Sequence, residues 1–345
     1  MPEIVRNIFE DYVKNRFNLQ DCIAVNNGTS ALIAPLWSMD LKPEDEVITT
    51  PFTFISTSNS ILIAGAKPIF VDINPETYLI DTDKIESAIT KNTKAIMPVH
   101  LYGRICDMDK INRIAKKYNL IVIEDTAQAF GSTKNDKYAG MMSDAGTFSF
   151  YKTKNISTFE GGMICVPKHS KLNSDKIRSI CNQGQVGRYN HEYIGFNFRL
   201  AEPLCLMALE QMKLHMKGIK AELGLRGPEQ GHYPNVVYNQ PIYKKMGIKG
   251  NCPIAEKVAK HIKDNFNFEL IAVCDIDKSA LQYAIDMYDT KGYNNYKKML
   301  SSNPDINLVV VATPNSLHFE QAKYCLKHKC DVLIEKPVCL NPKNV

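Results

Sequence analysis

Short apolar runs recur through the first half of the chain, each closing on turn residues and mostly leading into helical spacing. "CIAVNN" precedes "GTSALIAPLW", and "EVITTPFTFISTSNSILIAG", "KPIFVDI", "KAIMPVHLYG", "NLIVIEDTAQAFG" and "AGTFSFYKTKN" follow. Strands this short, separated by helix-length crossovers, assemble into a largely parallel sheet with helices on its faces. The expected class is α/β. Before the first strand, "MPEIVRNIFEDYVKNRF" sets Ile4, Val5, Ile8, Phe9, Tyr12 and Val13 on one face of an amphipathic helix.

Residues 175–217 read as helical, interrupted near "GRYNHEYIGFNFR". The following "GIKAELGLRGPEQGHYPNVVYNQP" is rich in Gly, Pro and Asn and has no sustained periodicity, so it reads as a linker. Beyond it "FELIAVCDID", "KSALQYAIDMYD", "INLVVVATP", "SLHFEQAKYCLKHK" and "CDVLIEKP" spell a second, short βαβαβ unit. Three segments are expected: 1–217, a connecting 218–267, and 268–345.

Charge is spread evenly, 42 Lys and Arg against 37 Asp and Glu for a net +5. No basic block is long enough to track a phosphate backbone, which argues against nucleic acid as a partner. No apolar run approaches the ~20 residues of a membrane span. Ten cysteines at irregular positions form no C-x-x-C pair, so no metal site is expected, and they read as buried thiols in a reducing, cytoplasmic setting.

Ligands of open α/β sheets gather at the carboxyl ends of strands, where helix N-termini point unpaired N–H groups. Gly28, Thr29 and Ser30 open a helix there, as a phosphate cup or an ordinary cap. Asp125 and Gln128 close a continuously apolar strand, the acid being a helix cap or a fixed anion. Phe54 packs in the core or stacks on a flat ring. Ser149 precedes Lys152 and Lys154, which are solvated or, if desolvated, amines able to form a Schiff base. Pyridoxal 5'-phosphate needs all of these together: an amine for its aldehyde, a carboxylate for its ring nitrogen, a phosphate cup and a flat neighbour.

From about Phe9 to Gln211 the sequence resembles the DegT/StrS aminotransferases, which act on nucleotide-linked keto sugars. The carriers are "NNGTSAL", "TPFTFISTSNSILIAGAKPIFVDI", "PVHLYG", "IEDTAQAFGS", "GTFSFYKTKNISTFEGG" and "GFNFR". The resemblance implies a fold type I large domain and assigns the Schiff-base lysine to Lys154, with Lys152 as an exposed neighbour. It also implies that Asp125 pairs with the pyridine nitrogen and that Gln128 approaches the ring hydroxyl. Gly28, Thr29, Ser30 and Ser149 would cup the phosphate, Phe54 would stack, and Asn197 would reach the phosphate of a neighbouring subunit. The implied protein is a homodimer that passes an amino group, commonly from glutamate, to a keto sugar. Most of the family's small covering domain is missing after Lys217, while "HYPNVVYNQPIYKKMGIKGNCPIAEKVAKHI" resembles the family's tail, so the resemblance implies that 218–267 is linker plus a remnant of the C-terminal region, and a non-turning-over cofactor-binding remnant is another reading.

From about Phe268 the chain resembles the Gfo/Idh/MocA oxidoreductases through "ELIAVCDID", "VVVATPNSLHFEQA" and "VLIEKP". That resemblance implies NAD(P) as an alternative cofactor, with Asp275 on its ribose and Lys336 near the hydride. It carries the alternative of a sugar oxidoreductase or a bifunctional fusion. Against it, "GIKGNCPIA" sets Cys252 and Pro253 where a pyrophosphate-binding loop needs glycine, so a partial Rossmann-like unit is expected.

Overall fold

Period-two alternation inside the strands decides the architecture. In the computed structural model, which describes residues 4–216, 236–265, 270–311, 313 and 315–334, the chain divides into two compact units, Met1–Phe266 and Asn267–Val345. The first unit's strands are β1 (Leu19–Val25), β2 (Glu46–Thr49), β3 (Lys67–Phe70), β4 (Thr93–Met97), β5 (Ile121–Asp125), β6 (Thr133–Lys134), β7 (Lys137–Tyr138), β8 (Ala145–Ser149), β9 (Gly162–Pro167), β10 (Gln185–Gly187) and β11 (Asn190–His191). Seven of them form one sheet in the order β1-β9-β8-β5-β4-β2-β3. β9 runs antiparallel to both β1 and β8, and the other neighbours are parallel. β6 with β7, and β10 with β11, are small separate ribbons.

The helices are α1 (Ile4–Phe17), α2 (Gly28–Trp37), α3 (Ser56–Ile63), α4 (Ile85–Ala88), α5 (Met108–Tyr118), α6 (Ser174–Cys181), α7 (Glu202–Met216), α8 (Pro241–Lys245) and α9 (Pro253–Asn265). Val47, Ala95 and Ile123 pack with Leu32 and Leu36 of α2 on one face of the sheet. Their neighbours Ile48, Ile96 and Val122 pack with Ile111 and Ile114 of α5 on the other. Covered on both sides, these strands read as continuous apolar runs. α5 shows how locally the helices are specified: Asp107 caps its first turn through Lys110 N–H, and Asn119 ends it in the left-handed conformation at φ 53°.

Residues 236–265 are no loose connection. Val236, Tyr238, Cys252, Ala255 and Ala259 are buried in the first unit's core. Asp72 accepts from the N–H groups of Ile254 and Ala255 at 2.9 Å, so a carboxylate sits on the N-terminus of α9. Asp72→Ala is expected to cost about 1–2 kcal/mol, read as a fall of roughly 3–6 °C in Tm by calorimetry.

The second unit contains β12 (Ala272–Cys274), α10 (Lys278–Tyr288), β13 (Lys291–Tyr293), α11 (Tyr296–Ser302), β14 (Leu308–Val311), α12 (Asn315–Lys327) and β15 (Asp331–Ile334). The expected strands and helices of the βαβαβ unit are present, with an addition. A further strand and helix lie in "KGYNNYKKML", too polar to register as apolar runs, and the strands form two parallel pairs, β12 with β13 and β14 with β15. Met299, Leu300, Cys325 and Cys330 form this unit's own small core.

Candidate active site

The carboxyl ends of β1, β5 and β8 bring the sequence-selected residues to one edge of the sheet. After β1, Asn27 takes an extended conformation and its Oδ1 accepts from Ser30 N–H at 2.8 Å. That cap uses the Ser30 amide, leaving the Gly28 and Thr29 amides of the first turn without intrahelical acceptors, as an anion site requires. Thr29 Oγ1 donates to Ser56 Oγ at 2.9 Å, linking the first turns of α2 and α3.

Gly28 is required by contact. A Cβ there would stand 2.7 Å from the Cβ of Ser149 and 3.1 Å from its hydroxyl. The helix entrance and the end of β8 thus close on each other as a cup only because position 28 has no side chain. Gly28→Val is expected to weaken cofactor binding at least about tenfold while leaving the far-UV circular dichroism unchanged, checked by equilibrium dialysis.

Asp125 ends β5 at 5% exposure. Its Oδ2 accepts from Thr57 Oγ1 at 2.8 Å and its Oδ1 from Ala127 N–H at 3.2 Å. Thr53 Oγ1 lies 2.9 Å from Thr57 Oγ1. Since the Thr57 hydrogen goes to Asp125, Thr53 donates to Thr57, and the two hydroxyls point their polarity at the carboxylate. Burial pushes the Asp125 pKa up, opposed by the Thr57 hydroxyl, the Ala127 N–H and the positive charge of Lys154.

Lys154 is half-buried, in a turn where its N–H donates to Tyr151 C=O at 2.8 Å. Lys152 is exposed, with Nζ 5.9 Å from the Tyr151 ring centre. Phe54 is 60% exposed while Phe52, two residues earlier, is wholly buried, so the core role falls to Phe52 and Phe54 keeps a face open. Gln128 Oε1 accepts from the N–H of Tyr102, a residue held at φ 55°.

Asn197 is exposed, and its C=O accepts from Asn26 Nδ2 at 3.4 Å, beside the entrance to α2. Asp275 lies in the second unit, its Oδ1 accepting from Asp277 N–H at 2.8 Å, so it shapes the turn before α10. Lys336 falls outside the described residues. Among the described residues no cluster of His, Cys, Asp and Glu could hold a metal ion, and no helix is long and apolar enough to cross a membrane.

Thr57 and Glu124 escaped the sequence reading. Thr57 sits in a serine-rich helical run, where hydroxyls are ordinary. Glu124 had a signal, an acid inside an apolar strand, which must be hydrogen-bonded if buried; it is fully buried and saturated with donors.

The residues fit pyridoxal phosphate. Each oxygen of Asp125 carries one donor, and a carboxylate has about four acceptor positions, so it retains capacity for a ring N–H. Two hydroxyls and the free end of α2 converge where the glycine keeps the cup open.

Comparison with known proteins points the same way. Residues 5–222 match the model of the DegT/DnrJ/EryC1/StrS aminotransferase family, and residues 244–345 match that of the oxidoreductase family with an NAD-binding Rossmann fold. The chain is 35% identical over 326 residues to the pleiotropic regulatory protein of Geobacillus stearothermophilus, covering 75% of this chain and 87% of that one. It is 43% identical over 207 residues to the GDP-perosamine synthase of Caulobacter vibrioides, covering 59% of this chain and 55% of the relative, so it spans about half that protein's length. Among solved structures, NtdA of Bacillus subtilis with bound PMP superposes with a TM-score of 0.62 at 30% identity, over 74% of this chain and 70% of that one.

Proposed function

The chain belongs to the DegT/DnrJ/EryC1/StrS aminotransferase family, and from that premise we propose that it is a pyridoxal phosphate-dependent transaminase that moves an amino group, from a donor such as glutamate, onto a nucleotide-linked keto sugar. One observation carries the reading: a buried carboxylate, Asp125, held by Thr57 and the Ala127 amide, ends β5 beside β8, whose last residue, Ser149, closes on Gly28 to form the cup. The sugar-nucleotide substrate class is supported by similarity to a GDP-perosamine synthase.

When bound, the cofactor supplies an electron sink for the carbon that bears the amino group. The amides of Gly28 and Thr29, with the hydroxyls of Thr29, Ser30 and Ser149, would hold its phosphate, Phe54 would cover a ring face, and Gln128 would approach the ring hydroxyl. Asp125, on which Thr57 and the Ala127 amide oppose the rise in pKa that burial imposes, would accept from the ring nitrogen and favour positive charge there. The Lys154 amine would hold the aldehyde and, as a free amine, would take and return a proton at the substrate carbon as a general base and acid. The protein acts as a homodimer in the cytoplasm, with Asn197 reaching the partner's phosphate.

The oxidoreductase reading gains no support from α9. That helix lies within the residues matched to the Rossmann family, yet its N-terminal amides are taken by Asp72, so a pyrophosphate there would meet a carboxylate. The experiment that decides is a glutamate half-reaction followed by absorbance on purified, cofactor-loaded protein. Yellow protein whose band is bleached by glutamate and regenerated by a keto acid supports a transaminase. Yellow protein inert to glutamate identifies a binding remnant, and colourless protein refutes both.

A further inference from the structure

Behind Asp125 lies a polar strut that the transamination chemistry leaves unused. Glu124 and His100 are both wholly buried. The Glu124 carboxylate takes four hydrogen bonds of 2.8 Å: His100 Nε2 and Gly140 N–H at Oε2, Met142 N–H and Ser143 Oγ at Oε1. The other ring nitrogen of His100, Nδ1, accepts from Cys106 N–H at 3.3 Å, which puts the ring hydrogen on Nε2, facing Glu124.

The main chain of His100 is tied to the catalytic strand. His100 N–H donates to Asp125 C=O and Asp125 N–H donates to Pro98 C=O, both at 2.9 Å. β4 ends at Met97, so these bonds extend the β4–β5 pairing past its regular end to the residue whose side chain faces the cofactor. A phenylalanine or leucine would fill the same volume at position 100. Only a side chain that both donates and accepts can join Glu124 to the Cys106 amide through the core.

We propose that His100, braced by Glu124, is a positioning residue for Asp125, fixing the direction in which that carboxylate meets the ring nitrogen of the cofactor. This rests on the role given to Asp125 above, and the test separates the two. In cofactor-free protein, His100→Leu is expected to speed amide hydrogen exchange at His100 and Asp125 by about tenfold, the worth of one lost buried hydrogen bond. It is also expected to weaken pyridoxal phosphate binding by about tenfold. His100→Gln, whose amide can donate to Glu124 and accept from Cys106, is expected to restore both within about threefold. Should His100→Leu fail to fold, Glu124→Gln, which sets an NH2 against a donor, is expected to show the same two losses.

Exchange and affinity within about twofold of the parent in His100→Leu would overturn the proposal, as would His100→Gln being no better than His100→Leu, since a space-filling role predicts that result. If instead exchange responds but Asp125→Ala leaves cofactor affinity untouched, the reading of Asp125 fails and the strut serves the main chain alone.

Discussion

Lys154→Ala is expected to abolish the borohydride-fixed linkage to pyridoxal phosphate and to slow the glutamate half-reaction at least about a thousandfold. Two losses combine: the amine that anchors the aldehyde, and the positioned group that carries a proton to and from the substrate carbon, itself worth roughly 10²–10⁴. Peptide mapping after borohydride reduction checks the first and stopped-flow absorbance the second. Lys152→Ala is the control. Its side chain is exposed beside Tyr151, so its removal is expected to leave both readouts within about twofold. A reduced linkage that maps to Lys152 would reverse the assignment.

Asp125→Asn is expected to slow the half-reaction by about 10²–10³-fold, the loss typical of removing one preorganised electrostatic partner of developing charge. The fold is expected to survive. Burial raises the pKa of this carboxylate, so a neutral carboxyl is favoured in the folded state, and its ionisation costs stability above the folded pKa. A neutral amide escapes that cost. Cofactor-free Asp125→Asn is therefore expected to melt no lower than the parent near neutral pH. As pH falls through the folded pKa the parent recovers, and any advantage of the variant narrows. A drop of several degrees at neutral pH would show that the ionised carboxylate is a structural keystone, contrary to its desolvated setting.

How far the sequence foretold the site differs residue by residue. Gly28, Asp125 and Ser149 stand out as candidates because each lies where an apolar run stops, and strand ends are visible there, whereas the choice of Lys154 over Lys152 rests on the family resemblance. Thr57 was not, since its role depends on α3 bringing it against β5, a contact across 68 positions. The end of the stretch that reads as a linker, residues 236–241, shows what composition leaves open: Gly, Pro and Asn describe a chain that bends often, and bending is compatible with packing when Val236, Val237 and Tyr238 are buried between the bends. In the second unit, "KGYNNYKKML" hid β13 and α11, because an element paired on one side only needs little apolar length to form.

The contact between Asp72 and α9 sets where this polypeptide can be cut. A fragment ending at residue 217, where the aminotransferase motifs run out, would leave Asp72 without its two amide donors and would bare the apolar wall that Tyr238, Cys252 and Ala259 now line. A fragment carried through Asn265 keeps that wall sealed. Any fragment that keeps the first unit's core covered must therefore run through a helix that comes after the aminotransferase motifs.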